Sequence, residues 1–285
     1  MKSRSYKKRL SNSSQKKRKP KAFLFGPFMG ELSWEFYRFA PYAIYLKKFN
    51  PDVQIIVLTR EERFSLYGIY ADILIPLRIK NDDMLIQRQF GSKNYKPEYY
   101  DTIKKYFYEK YQKRFDVIDH FCPLIHGWKR KVKWQFPRDK MNYDFQPQGK
   151  ISDIVEAIIG DGDVIVDTEA VGYLDSGKIK DINSTDIFRG MIDLAVVIES
   201  IKQCEFVVGN MKFDLSKLSI LLKKPLISLK EKLSDDEINL LNPLNTPIIK
   251  CKTINEGVEM YENNFRPEKS GIGKQRRLIY FNPIR

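Results

Sequence analysis

What most constrains this chain is a short apolar strand, a helix and a second, almost wholly apolar strand packed into one segment. Ala22-Phe-Leu-Phe25 is apolar throughout and stops at Gly26-Pro27, a turn signal. From Glu31 to Phe49 the apolar residues Leu32, Phe36, Phe39, Ala43 and Leu46 keep helical spacing. Pro41 falls inside that run and predicts a kink. A turn at Asn50-Pro51-Asp52 leads into Val53-Gln-Ile-Ile-Val-Leu58. Such a run suits a parallel strand covered on both faces. Strand, helix and strand within about 37 residues make a βαβ unit, which is nearly always right-handed and parallel.

The alternation continues. Residues 60–70 predict a short helix and 72–77 a third strand. Residues 81–145 change character. They are rich in Tyr, Phe, Lys and Asp, helical around 99–114, and irregular from Pro123 to Gly149. Alternation then resumes with helices over 151–159, 192–203, 215–223, 234–241 and 255–263. Strands are predicted over 163–167, 205–208, 225–229 and 247–250. Ser234 with Glu237 has the spacing of a capping box. The pattern predicts an α/β chain of two doubly wound lobes joined by an aromatic, basic middle segment.

Composition limits the function classes. With 285 residues, 42% of them hydrophobic, the chain has ample core-forming material. No stretch of 18 apolar residues predicts a membrane span, and no apolar region follows the charged N-terminus as in a secretory signal. A cytoplasmic location is expected, or a nuclear or virion-associated one in a eukaryotic or viral setting. The three cysteines, Cys122, Cys204 and Cys251, are too far apart for a disulfide framework or a zinc spacing. His120 and His126 are the only histidines, so any histidine-based metal site or nucleophile triad would rest on those two. The formal charge is +14, but residues 1–21 hold ten lysines and arginines and no acid, which leaves about +4 on the rest. That arm is expected to be disordered, and it fits contact with nucleic acid or an anionic surface.

Two loops carry the candidate chemistry. In open α/β sheets, ligands bind beyond the carboxyl ends of the strands. In Phe25-Gly-Pro-Phe-Met-Gly-Glu-Leu-Ser-Trp-Glu35 a strand ends, two glycines bracket a turn, and a helix begins. Glu31 fits a general base for an acceptor hydroxyl, and fits equally an acid that complements the helix dipole. Gly30, Trp34 and Glu35 are acceptor-side candidates, with a core position the competing account of Trp34. In Val207-Val-Gly-Asn-Met-Lys-Phe-Asp-Leu-Ser-Lys217 a second strand ends in glycine before a helix. There Gly209, Asn210, Lys212, Asp214 and Lys217 are donor-binding candidates. Lys212 or Lys217 can neutralise a diphosphate beside the helix N-terminus; the alternative is an Asp214 cap with solvated lysines. Thr168 and Glu169 follow a strand and either face the same cleft or end a surface loop. The aromatic-basic stretch over 95–136, with Lys129-Arg-Lys-Val-Lys133 its most basic part, fits either ligand stacking or inward packing.

The second half resembles the donor-binding lobe of GT-B glycosyltransferases, especially heptosyltransferase-like ones, in a divergent viral or bacterial form. The resemblance rests on Ile192-Asp-Leu-Ala-Val-Val-Ile-Glu-Ser-Ile-Lys202 and on the run from Cys204 to Ser228, with its strand, glycine turn, helix and Lys-Pro-apolar strand. The Gly-Pro-Phe-Met-Gly-Glu-Leu-Ser-Trp-Glu segment is similar to the acceptor-lobe loop. The likeness covers roughly residues 22–80 and 150–263. It departs where the family's Asp-Ser-Gly turn is replaced by Asn210-Met211-Lys212, and where no first strand is evident before Ile151. The resemblance implies two Rossmann-like lobes and a metal-independent transfer of a sugar from a nucleotide-sugar co-substrate to a glycan or modified-DNA hydroxyl. It implies no bound cofactor. The domains expected are an arm over 1–21, an acceptor-side lobe over 22–145, a donor-side lobe over 146–265 and a basic tail over 266–285. A non-catalytic nucleic-acid-binding or virion-associated protein on a degenerate form of this fold stays open beside it.

Overall fold

The computed structural model describes residues 18–28, 32–77, 97–122, 136–149, 151, 155, 164–167, 187–188, 193–265 and 278–281. The basic arm up to residue 17, Lys129–Lys133 and most of the helix expected over 151–159 lie outside them.

The first sheet is wholly parallel, in the order β3-β2-β1-β4. Its strands are β1 (Lys21–Phe25), β2 (Gln54–Thr59), β3 (Ile73–Pro76) and β4 (Asp116–Phe121). The first three agree with the apolar runs. β4 corrects the sequence expectation, which placed no strand between 114 and 123. It is an edge strand whose exposed Asp116 and Asp119 and half-buried His120 interrupt the apolar signal.

Between β1 and β2 run α1 (Leu32–Trp34), a π-helical segment (Glu35–Phe39) and α2 (Ala40–Phe49). The expected kink at Pro41 is instead a widened turn just before it. Ala40 N–H donates to Glu35 O, five residues back, and Pro41 stands in the first turn of α2. Proline lacks an N–H and its ring crowds the carbonyl four residues earlier. That carbonyl, on Tyr37, accepts from the Tyr143 hydroxyl at 3.4 Å. The helix expected over 60–70 is two 3₁₀ turns, Glu61–Leu66 and Gly68–Tyr70. α3 (Pro97–Gln112) covers the outer face of the sheet. Phe107, Tyr111 and the following Phe115 pack on Ala22, Leu24, Ile56 and Leu58. Of the aromatic stretch, Phe107, Tyr111 and Phe115 pack inward, whereas Tyr106 and Tyr108 stay exposed.

The second sheet is also parallel, in the order β6-β10-β5-β7-β8-β9. It contains β5 (Val164–Asp167), β6 (Ile187–Phe188), β7 (Phe206–Gly209), β8 (Leu226–Leu229), β9 (Ile248–Cys251) and β10 (Leu278–Phe281). Its helices are α4 (Leu194–Gln203), α5 (Asp214–Leu221), α6 (Asp235–Leu241) and α7 (Ile254–Phe265). The Ser234–Glu237 capping box forms as the spacing predicts. β10 lies within the segment expected as a basic tail, where no strand was expected. Its four residues follow Arg276-Arg277 and precede Asn282-Pro283, so local polarity hid the strand. β6, two residues long, was also unforeseen.

Side chains alternate cleanly between the faces. Phe23, Phe25, Ile55 and Val57 of the first sheet join Ile165, Val207 and Leu226 of the second, with α2, α4 and α5 between, in one continuous buried cluster. The opposite face of the second sheet packs on α7 through Phe206, Ile227 and Tyr261. The connector over 136–149 carries Phe136 and Phe145 into the shared cluster. The lobes thus share a core rather than meeting only through a linker.

Candidate functional site

The loops after β1 and β7 both leave the carboxyl edge of a parallel sheet, and their helices meet: α1 packs against α5. The Tyr37 hydroxyl donates to Leu241 O at 2.8 Å across the lobe boundary. Burial, then the charges of Tyr143 and Asp214, push the Tyr37 phenol well above its ordinary range. Asp214, at the start of α5, therefore lies within electrostatic reach of the first-lobe helix. The turn at 61–66 packs on α4 and closes the same boundary from another side.

The first loop turns at Gly26, whose φ of 102° and 2.2 Å approach of a would-be Cβ to Leu58 O leave room only for hydrogen. Three bonds fix that turn. Gly26 N–H donates to Phe121 O at 2.8 Å, Phe28 N–H donates to Leu58 O at 3.1 Å, and His120 Nε2 lies 2.6 Å from Gly26 O. Burial is the main force lowering the His120 pKa, so the ring is neutral near pH 7 and its Nε2–H donates.

Of the first-loop candidates, Gly30 and Glu31 lie outside the described residues. Glu35 is fully buried. Its Oε1 accepts from the Thr59 hydroxyl at 2.6 Å and the Tyr67 hydroxyl at 2.7 Å, and its Oε2 accepts from Arg63 Nη1 at 3.0 Å. Burial raises its pKa, while the Arg63 charge and the three hydrogen bonds pull it back. Glu35 thus ties the helix to β2 and the turn after it. Trp34 is half-buried, with the Arg38 guanidinium 4.2 Å from its ring centroid.

In the second loop, Gly209 permits a close approach, since a Cβ there would stand 2.0 Å from Ser216 Oγ. Ser216 Oγ accepts from Asn210 N–H at 2.9 Å and donates to Asp167 Oδ2 at 3.2 Å. The Asn210 side chain points inward: its Nδ2 donates to Leu229 O at 2.8 Å and its Oδ1 accepts from Lys212 N–H at 2.9 Å. Lys217 pairs with Asp214 at 3.3 Å on the same helix face. The Lys212 side chain is exposed. Thr168 and Glu169 lie outside the described residues, directly after the buried Asp167.

Several residues escaped the sequence-based expectations. Arg63 sits in an Arg-Glu-Glu-Arg run that reads as a solvated face, and Thr59 and Tyr67 carry no motif. Glu231 gathers four donors: Met211 N–H, the Ser228 hydroxyl, Lys232 N–H and Leu233 N–H. It hides in a Lys-Glu-Lys run. Only Thr59, at the end of β2, and Glu231, two residues past β8, had a position at a strand's carboxyl end to signal them. Among the described residues no three His, Cys, Asp or Glu side chains are grouped to hold a metal ion, and no helix is long and apolar enough to cross a membrane.

Solved structures share this architecture. A glycosyl transferase of family 9 from Veillonella parvula superposes with a TM-score of 0.50 at 11% identity, over 87% of this chain and 92% of that one. The E. coli heptosyltransferase WaaC with ADP gives 0.49 at 15% identity, over 86% and 99%. E. coli ADP-heptose lps heptosyltransferase II gives 0.45 at 12%, over 81% and 90%. The likeness to the family 9 glycosyl transferase, at 11% identity, is one of fold. No family model and no curated protein matches the chain.

Proposed function

We propose that this chain is a glycosyltransferase that moves a sugar from a nucleotide-sugar donor to an acceptor hydroxyl without a metal ion. The observation that carries the reading is the meeting of α1 with α5, which puts the two carboxyl-edge loops on one boundary. Ligands of open parallel sheets bind at such edges. The fold shared with a family 9 glycosyl transferase supports the same assignment.

In this reading the second lobe holds the donor. Gly209 and the inward Asn210 shape the turn so that backbone and the exposed Lys212 face the diphosphate, with the start of α5 adding its dipole. Asp214 and Lys217, and Thr168 and Glu169 after β5, complete the donor contacts. Glu31, with Gly30 and Trp34 beside it, serves the acceptor. The acceptor oxygen gives its proton to the Glu31 carboxylate and bonds to the anomeric carbon. The bond from that carbon to the diphosphate oxygen breaks, and the leaving diphosphate departs with the electron pair and its negative charge. Glu35 takes no part in proton transfer; its oxygens are engaged by Thr59, Tyr67 and Arg63.

Calorimetry with ADP, UDP, GDP and CDP, followed by transfer assays with the matching nucleotide sugars, tests the reading. Saturable binding of one nucleoside diphosphate is expected, and binding of none overturns it. Glu31→Gln is expected to abolish transfer and leave donor affinity unchanged; undiminished turnover removes Glu31 as the base.

A further inference from the structure

The turn that carries Lys212 is tied to the neighbouring strand by a carboxylate. β8 ends at Leu229, and Lys230 follows it at a φ of 47°, in the left-handed region that non-glycine residues seldom adopt. Its N–H donates to Cys251 O at 2.8 Å, which fixes the reversal against the end of β9. The next residue, Glu231, is half-buried, and its side chain reaches the loop after β7. Oε2 accepts from Met211 N–H at 3.0 Å and from the Ser228 hydroxyl at 2.6 Å. Oε1 accepts from Lys232 N–H at 2.9 Å and from Leu233 N–H at 3.0 Å. Both oxygens are held, so the carboxylate has one orientation.

The consequence falls on the turn after β7. Met211 is fixed twice: its side chain is buried in the core shared by the lobes, and its N–H lies on Glu231. Asn210 before it is tied to the same strand end through Leu229 O. Lys212 after it is exposed, so the direction in which it leaves the turn is set by these two residues. An ionised carboxylate suits this place because all its partners donate. A glutamine would turn its NH₂ group toward one pair of those donors and lose their bonds.

We propose that Glu231 is a positioning residue: through Met211 N–H it holds the 210–212 turn in the geometry that binds the donor diphosphate. That the turn's ligand is a diphosphate rests on the function proposed above; the hold of Glu231 on the turn does not.

Two measurements on the full chain test the proposal. The first needs no ligand: hydrogen exchange of the Met211 amide, with the Gly257 amide in α7 as reference, where the N–H donates to Thr253 O. Glu231→Gln is expected to speed exchange at Met211 about tenfold, the loss of one charge-assisted bond, and to leave Gly257 unchanged. The second is calorimetry with whichever of ADP, UDP, GDP and CDP binds the unaltered chain, together with transfer from the matching nucleotide sugar. Glu231→Gln is expected to weaken nucleotide affinity about tenfold and to raise the donor KM by the same factor with kcat unchanged, the pattern of lost uniform binding. Glu237→Gln breaks the capping box of α6 in the same lobe and is expected to leave affinity and KM unchanged. Should Glu231→Gln not fold, Ser228→Ala removes the other donor to Oε2 and is expected to give a smaller loss in the same direction. Unchanged exchange at Met211 in the folded variant overturns the proposal. So does unchanged nucleotide affinity, a fall in kcat alone, or an equal loss in Glu237→Gln. Tighter nucleotide binding also overturns it, and would make Glu231 a competitor of the phosphate. Binding of no nucleoside diphosphate removes the diphosphate as the ligand of the turn, and faster exchange at Met211 would still support Glu231 as the group that holds it.

Discussion

The two loops at the boundary occupy equivalent places, each after a parallel strand and before a helix, yet they are held by different chemistry. The first is secured by a buried ion pair: Glu35, fully enclosed, with Arg63 and two hydroxyls. The second is secured by close packing and neutral donors: a glycine against Ser216, the inward Asn210 amide, and N–H groups gathered on Glu231. A buried charge depends on its partner, whereas a steric fit depends on volume. The first loop should therefore fail when a charge is removed, and the second when an atom is added.

The sharpest way to break that contrast is Arg63→Met. It leaves the Glu35 carboxylate enclosed without its counter-charge and is expected to cost ~3–5 kcal/mol in urea unfolding. A loss as small as that of an exposed ion pair would show that water reaches Glu35. Next comes Gly209→Ala. A methyl group 2.0 Å from Ser216 Oγ forces the turn to shift, at an expected cost of ~1–3 kcal/mol. Adding Ser216→Ala relieves the clash, so the two changes together should cost less than their sum. Strict additivity would mean that the turn yields elsewhere.

The pH dependence separates the loops more gently. The folded-state pKa of Glu35 lies above its ordinary 4.5 because burial outweighs its partners. The folded chain then binds this proton more tightly than the unfolded chain does. Its contribution to stability is full below the unfolded pKa and declines as pH rises from 4.5 through the folded value. Glu35→Gln should flatten that part of the urea-midpoint profile, and an unchanged slope would assign it to another group. The smallest effect is expected from Asp193→Ala, which removes the cap donated to by Ala195 N–H at 2.7 Å and touches neither loop. It should cost about 1 kcal/mol and leave nucleotide binding unaltered.

Much of the fold was legible from periodicity alone. β1, β2, β5, β7 and β8 are short and almost wholly apolar because both faces of each sheet are covered, so their composition announces them. β4 and β10 were not legible. β4 is an edge strand, apolar only in part, and β10 is four residues beside two arginines. Nothing local says that the last strand of the chain enters the second sheet between β5 and β6, since that placement is set by long-range pairing.

The candidate site divides in the same way. Glycine turns at strand ends are local devices, and Gly26 and Gly209 could be read directly. Glu35 looked from the sequence like a group turned toward a ligand, and the structure gives its oxygens to Thr59, Arg63 and Tyr67. The docking of the connector on α2 could not be read at all, because Phe136 and Asn142 fix it through Tyr42 and Pro41, about a hundred residues away in sequence.

By itself, then, the sequence determined two α/β units, the glycine turns at their edges and a strong basic arm, because hydrophobic period and glycine's backbone freedom act over a few residues. Only the tertiary structure decided that the lobes share one core, that α1 faces α5, and which charged side chains are buried partners and which are left at the boundary. Burial and electrostatic pairing depend on neighbours brought together by the whole fold, and those neighbours are distant in the chain.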